Sequence, residues 1–142
     1  MKRTWATAYL VAAVIFGALD AVWLTQLAGP LYAERLGDLV ATDVNVWAAV
    51  AFYAVYVGGI TYVAVAPALC RRSGWLAVRS GAVLGFVAYS TWVLTNLAVL
   101  AGFTPIVMLD LVWGTCATAV TAGLTYAVCR RLWPGDSPDP HP

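Results

Sequence analysis

Histidine is all but missing from this chain: His141, in the segment "PGDSPDPHP", is the only one. A membrane haem held by histidine is thereby excluded. Cysteine is nearly as scarce, with three residues at no framework spacing, so a disulfide scaffold is not expected. Charged residues make up only 11% of the chain, where a soluble domain carries roughly a quarter. A net charge of +1 with no basic stripe leaves no electrostatic footprint for nucleic acid. The sequence holds no nucleotide-binding glycine loop, no metal-ligand cluster and no cysteine paired with a base. No cofactor or metal is therefore expected, and the usual equipment of an enzyme is thin.

What the chain does have is apolar length. Hydrophobic residues make up 62% of it, and its charges gather at Lys2 and Arg3, Glu34 to Asp43, Arg71 to Arg79, and from Arg130 onward. Between these clusters lie four runs of 20 or more residues with almost no charge, and about 20 apolar residues span a hydrocarbon core as a helix. The chain reads as an all-α, polytopic membrane protein, a single four-helix transmembrane domain over residues 1–133. Its helices are expected at about 5–28, 45–70, 79–103 and 105–130, followed by a disordered cytoplasmic tail, 134–142. Seven of the eight basic residues fall on one side of this topology, so both termini are expected in the cytoplasm of a bacterial inner membrane. Asp20 interrupts the first apolar run, which argues for a retained span over a cleaved signal. Cys70 and Cys129 would then be reduced thiols at cytoplasmic helix ends, and Cys116 a small buried apolar residue. Trp5, Trp75 and Trp133 fit an interfacial belt.

Residues 29–44, "GPLYAERLGDLVATDV", are too polar to span. Leu31, Tyr32, Leu36, Leu39 and Val40 share one helical face against Glu34, Arg35 and Asp38, the pattern of a short amphipathic outer segment between helices 1 and 2. Pro30 suits its first turn, and Thr42, Asp43 and Asn45 are candidate caps for helix 2. Pro67 and Pro105 sit near helix ends, where proline is tolerated. Gly81 and Gly85 have the G-x-x-x-G spacing that brings helix backbones together, either inside the bundle or across a homodimer interface. Gly58 with Gly59, and Gly114 with Thr118, also point to close packing.

Two segments repeat one arrangement: "LDAVWL" and "LDLVWG" each place an aspartate three residues before a tryptophan. Helix 1 and helix 4 run antiparallel, so at 1.5 Å per residue Asp20 comes level with Trp113, and Trp23 with Asp110. A reciprocal clasp of two indole N–H donors and two carboxylates is expected. Tyr53, Tyr56, Tyr89, Thr95 and Asn96 are expected in the same polar layer, toward the outer leaflet. A charged aspartate at mid-membrane costs about 2.5–3.5 kcal/mol on insertion scales, and ionisable residues there generally mark function. Two carboxylates so close are not expected to carry charge together.

With those motifs in view, the chain resembles a bacterial membrane-protein family known as domain of unknown function 2177. The segments that carry the resemblance are "LDAVWL", "YAERLG", "FYAVYVGG", "YSTWVLTNLA" and "DLVWGT". It implies a four-helix membrane protein and supplies no reaction, cofactor or site assignment. Asp20, Thr95, Asn96 and Asp110 match the family pattern, whereas Val93 stands where the family carries a third acidic residue. Three functions follow for the polar layer: binding or moving a small amphiphile or lipid-like ligand, with proton movement at Asp20 or Asp110; bracing a structural or accessory subunit of a membrane complex; or, least favoured, acid–base chemistry by paired carboxylates. The lipid bilayer is the one certain partner.

Overall fold

Backbone amides inside hydrocarbon have no water to bond, so a chain this apolar satisfies them within helices. The computed structural model describes residues 2–36, 43, 45–99 and 108–133, and all regular structure among them is helical. α1 (Lys2–Trp23) passes through a wider π-helical segment, Leu24–Ala28, into α2 (Gly29–Leu36). The second span comprises α3 (Val46–Gly59), a π segment at Ile60–Val65, and α4 (Ala66–Cys70). α5 (Gly74–Val99) and α6 (Met108–Leu132) are unbroken. Among the described residues, four helical runs are long and apolar enough to cross a membrane: Thr4–Leu31, Val46–Cys70, Gly74–Val99 and Met108–Leu132. The protein is an all-helical, four-span membrane bundle. The expected tail, Pro105 and, within the expected outer segment, residues 37–42 (Thr42 among them) and 44 lie outside the described residues.

Both prolines within the helical runs follow a π segment. Pro30 comes two residues after Ala28, and Pro67 two residues after Val65. Proline lacks an N–H, and its ring collides with the carbonyl four residues back. Widening the preceding turn shifts the hydrogen bonds to five-residue spacing, as Gly29 N–H to Leu24 C=O and Ala66 N–H to Thr61 C=O. The ring is accommodated and the helix goes on. For that reason the first span does not stop at Ala28 before a separate surface helix. It continues into Gly29–Leu36.

At the bundle end that carries the termini, α4 and α5 are joined by a three-residue turn. Arg72 takes a left-handed conformation, φ 52°. Arg72 N–H bonds Leu69 C=O at 3.2 Å, and Ser73 N–H bonds Ala68 C=O at 3.0 Å, the paired pattern of a Schellman C-cap. Ser73 Oγ then accepts from Leu76 N–H, capping α5. α5 consequently begins at Gly74 and not near Arg79. At the opposite end Asn45 is the cap of α3, its Oδ1 accepting from Ala48 N–H at 3.1 Å.

Among the described residues α5 and α6 form the most extensive helix pair, with close approaches from Gly74 beside Tyr126 to Tyr89 over Gly114. Gly81 and Gly85 are buried in that seam. A Cβ at Gly81 would lie 2.8 Å from Ala122 Cβ and from the Thr118 carbonyl oxygen; one at Gly85 would lie 2.5 Å from the Gly114 carbonyl oxygen. The G-x-x-x-G face thus meets α6 of the same chain. Ala8, Ala12 and Phe16 form the inward stripe of α1 and join Val57, Ile60, Ala64, Ala117 and Ala122 in the core. Cys129 is buried, but Cys116 lies exposed on the outside of α6. The burial expected for Cys116 fails because lipid accepts small apolar groups as readily as the core does, so hydropathy does not orient them.

Three threonines of α6 are fully buried, with different fates. Thr118 Oγ1 bonds the Gly114 carbonyl oxygen, whereas Thr121 and Thr125 hydroxyls meet no hydrogen-bond partner. An unpartnered hydroxyl in an apolar site costs about 1 kcal/mol or more. Thr125→Val should therefore raise unfolding stability in micelles by of order 1 kcal/mol, while Thr118→Val should lower it by about 0.6 kcal/mol. Equal signs for the two would contradict this account.

Candidate functional site

The half of the bundle away from the termini opens into a cleft of about 400 Å³. It exists because the second span touches α5 through its π segment and α4, whereas α3 leans on α1 instead. Asp20 and Trp23 of α1, Phe52, Tyr53 and Tyr56 of α3, Tyr89 and Trp92 of α5, and Asp110 of α6 line it. α3 and α5 make little contact with each other, and the lining residues Phe52 of α3 and Trp92 of α5, like Leu24, are more than two-fifths exposed, so the gap between these two helices is taken as the mouth.

The two aspartates are 6% and 7% exposed, respectively. Tyr53 Oη donates to Asp20 Oδ2 at 2.6 Å, a short bond of the kind an O–H makes to a carboxylate. Trp23 Nε1 donates to Asp110 Oδ1 at 2.9 Å. The Trp23 and Trp113 rings stack, with centroids 4.8 Å apart and planes 7° apart. Counting residues along antiparallel helices thus brings the two D-x-x-W segments together as expected, with one difference. The Trp113 indole lies beside Asp20, but its N–H meets no acceptor at hydrogen-bonding geometry. Tyr53 has taken that role, so the clasp is one-sided.

Around the carboxylates the walls are aromatic. Phe16, fully buried, supports Tyr56 at a centroid distance of 5.0 Å. Phe52 stacks on Tyr56 at 5.5 Å, and Tyr56 meets Tyr89 edge-on at 6.1 Å. Tyr56 Oη and Thr118 Oγ1 are 2.8 Å apart. Because the Thr118 proton goes to the Gly114 carbonyl, Tyr56 is the donor in that pair. The Tyr89 ring lies over Gly114, where a Cβ would collide with it.

Six of the nine residues expected in the polar layer line the cleft: Asp20, Trp23, Tyr53, Tyr56, Tyr89 and Asp110. Trp113 lies just behind, stacked on Trp23. Thr95 and Asn96 are not brought there. Thr95 is exposed, and Asn96 Nδ2 donates to Trp92 C=O of its own helix at 2.8 Å. Asn96 shares the Tyr89 stripe but lies two turns, roughly 10 Å, further along, because the α5–α6 register is offset from the one that equal span lengths imply. The same register carries Val93, fully buried, to the level of Asp110. Phe52, Trp92 and Thr118 were missed as site residues. Phe52 and Trp92 stand inside "FYAVY" and "YSTWV", where adjacency to the chosen tyrosines was the available signal. Among the described residues no group of histidine, cysteine or carboxylate side chains is arranged to hold a metal ion.

The chain belongs to the domain of unknown function 2177 family of predicted membrane proteins, whose family model matches residues 5–127. No curated protein and no solved structure matches it.

Proposed function

We propose that this family member binds or moves a small amphiphile or lipid-like molecule whose head reaches Asp20 and Asp110. The observation that carries this reading is the cleft: about 400 Å³, within the range of small-molecule sites, with two deeply set carboxylates and a mouth between α3 and α5. An opening through the side of a membrane bundle gives onto lipid, so the ligand's apolar part can enter without crossing water. The basic residues at the end of the bundle holding the termini support cytoplasmic termini, which would set the cleft in the outer leaflet of a bacterial inner membrane. Proton movement at either aspartate would accompany a ligand head that brings or removes a hydrogen-bond donor.

A second reading rests on the same hydrogen bonds. Trp23 to Asp110 ties the first span to the fourth, and Tyr53 to Asp20 ties the second to the first. Such bonds alone can brace an accessory subunit of a membrane complex. Native mass spectrometry of wild type and Asp20→Asn, released from nanodiscs, separates the two. A small molecule or lipid retained by wild type and lost by the variant is the expected result. Empty spectra for both, with equal folding, would overturn the binding reading in favour of bracing.

A further inference from the structure

Resting on the binding reading above, we infer that the head group taken by the cleft is a cation, specifically a quaternary or fully alkylated ammonium. Four features of the lining lead there.

The first is charge. Among the described residues each buried carboxyl group receives one hydrogen bond, from Tyr53 or from Trp23, whereas a carboxylate offers about four lone-pair sites. No lysine, arginine or histidine is among the described residues that line the cleft. The cations nearest along α5 are a full half-span away: Arg79 is ten residues, about 15 Å, from Tyr89. An anionic head would meet two carboxyl groups and, among the described lining residues, no cation.

The second is the state of the donors. Tyr53 Oη is committed to Asp20, Tyr56 Oη to Thr118, and Trp23 Nε1 to Asp110. Beyond the Tyr89 hydroxyl, these commitments leave little donor capacity in the lining for a sugar or a carboxylate head. The third is aromatic content. Phe52, Tyr53, Tyr56, Tyr89 and Trp92 line the cleft together with the two aspartates, and Phe52 and Trp92 are more than two-fifths exposed. Ring faces are negative and attract alkylated ammonium groups, which need no hydrogen bonds. The fourth is the mouth between α3 and α5, which admits an alkyl chain behind the head. Together they fit a cationic amphiphile, whether a free alkylammonium compound or the choline head of a lipid.

The test uses the full-length protein in an uncharged maltoside detergent, with calorimetric titration of octyltrimethylammonium against octyldimethylamine oxide. At mildly alkaline pH the second is nearly the same shape but carries no net charge. Wild type is expected to prefer the ammonium by about tenfold or more, the size of one to two kcal/mol of cation–π and charge attraction. The preference should fall toward unity in Asp20→Asn. Trp92→Leu, at the half-exposed rim, should weaken ammonium binding several-fold with the helical signal intact. Competition by added phosphatidylcholine would assign the head to a lipid, and its absence would assign a free cation; either accords with the ammonium class. Equal affinity for the two probes would overturn the cation while leaving the cleft a binding site. Binding of neither, by protein that is folded, would overturn the binding reading as well.

Discussion

Gly114→Ala is expected to destabilise the bundle by about 1–3 kcal/mol, the usual cost of inserting a methyl group into a filled core. Alanine is the better helix former, so propensity alone predicts a gain; here packing outweighs it. The new Cβ would fall within the Tyr89 ring, and the ring cannot retreat sideways, because Tyr56 meets it edge-on at 6.1 Å. It must swing into the cleft or push α5 off α6, and the second would open the close packing of Gly81 and Gly85 against α6. Tyr89→Ala vacates the space the methyl needs. The double variant should therefore be less destabilised than the sum of the two single changes, with a coupling of about 0.5–3 kcal/mol. Denaturant unfolding of the four proteins in matched micelles measures it. Additive losses, or an unaffected Gly114→Ala protein, would refute the placement of Tyr89 over Gly114. The same swing would fill the cleft, so Gly114→Ala should also lose ligand, linking a packing contact to the proposed function.

What could be read in advance, and what could not, divides along one physical line. Lipid demands about 20 apolar residues per span, so the four spans were legible. The rise of 1.5 Å per residue sets depth, so the pairing of Trp23 with Asp110 and the meeting of the two tryptophans were legible too. Rotation about a helix axis was not. A soluble helix reveals its buried side by an apolar stripe, but in a membrane the outward face is as apolar as the inward one. Cys116 therefore pointed out where it was expected in. Asn96 was placed at the right height only under an assumed register, and its amide turned back to the Trp92 carbonyl. The widened turns before Pro30 and Pro67 were hidden for another reason. Each is a local repair of one missing donor, and hydropathy does not register it. Tyr53 took Asp20 from Trp113 by a similar local contest, decided by which donor's geometry reached the oxygen.

That contest gives the two tryptophans unequal energetic weight despite their matching sequence positions. Trp23→Phe removes the donor to Asp110 and leaves a carboxyl group, 7% exposed, without the hydrogen bond it has. Leaving a buried polar group unsatisfied costs about 1–3 kcal/mol. Trp113→Phe removes an N–H that has no acceptor, so its loss is confined to ring area and part of the stack, about 0.5–1.5 kcal/mol. Both substitutions disturb the same stacked pair, so the difference between them isolates the Asp110 bond. Trp23→Phe is expected to be the more damaging by about 1 kcal/mol or more in micelle unfolding. Adding Asp110→Leu to Trp23→Phe should recover most of that difference, since removing both partners of a buried hydrogen bond is far milder than removing one. The near-ultraviolet dichroism of the stacked indoles should vanish in either single variant and so serves as a control that both reached the stack. Equal losses for the two phenylalanine variants would mean that Trp113 does donate to Asp20 and that the clasp is reciprocal. A double variant no better than Trp23→Phe would mean that the aspartate is sustained by contacts other than the indole. If the asymmetry holds, Asp110 is the carboxylate fixed by the fold. Asp20, held by the Tyr53 phenol at the cleft wall, is then the one a ligand can win over.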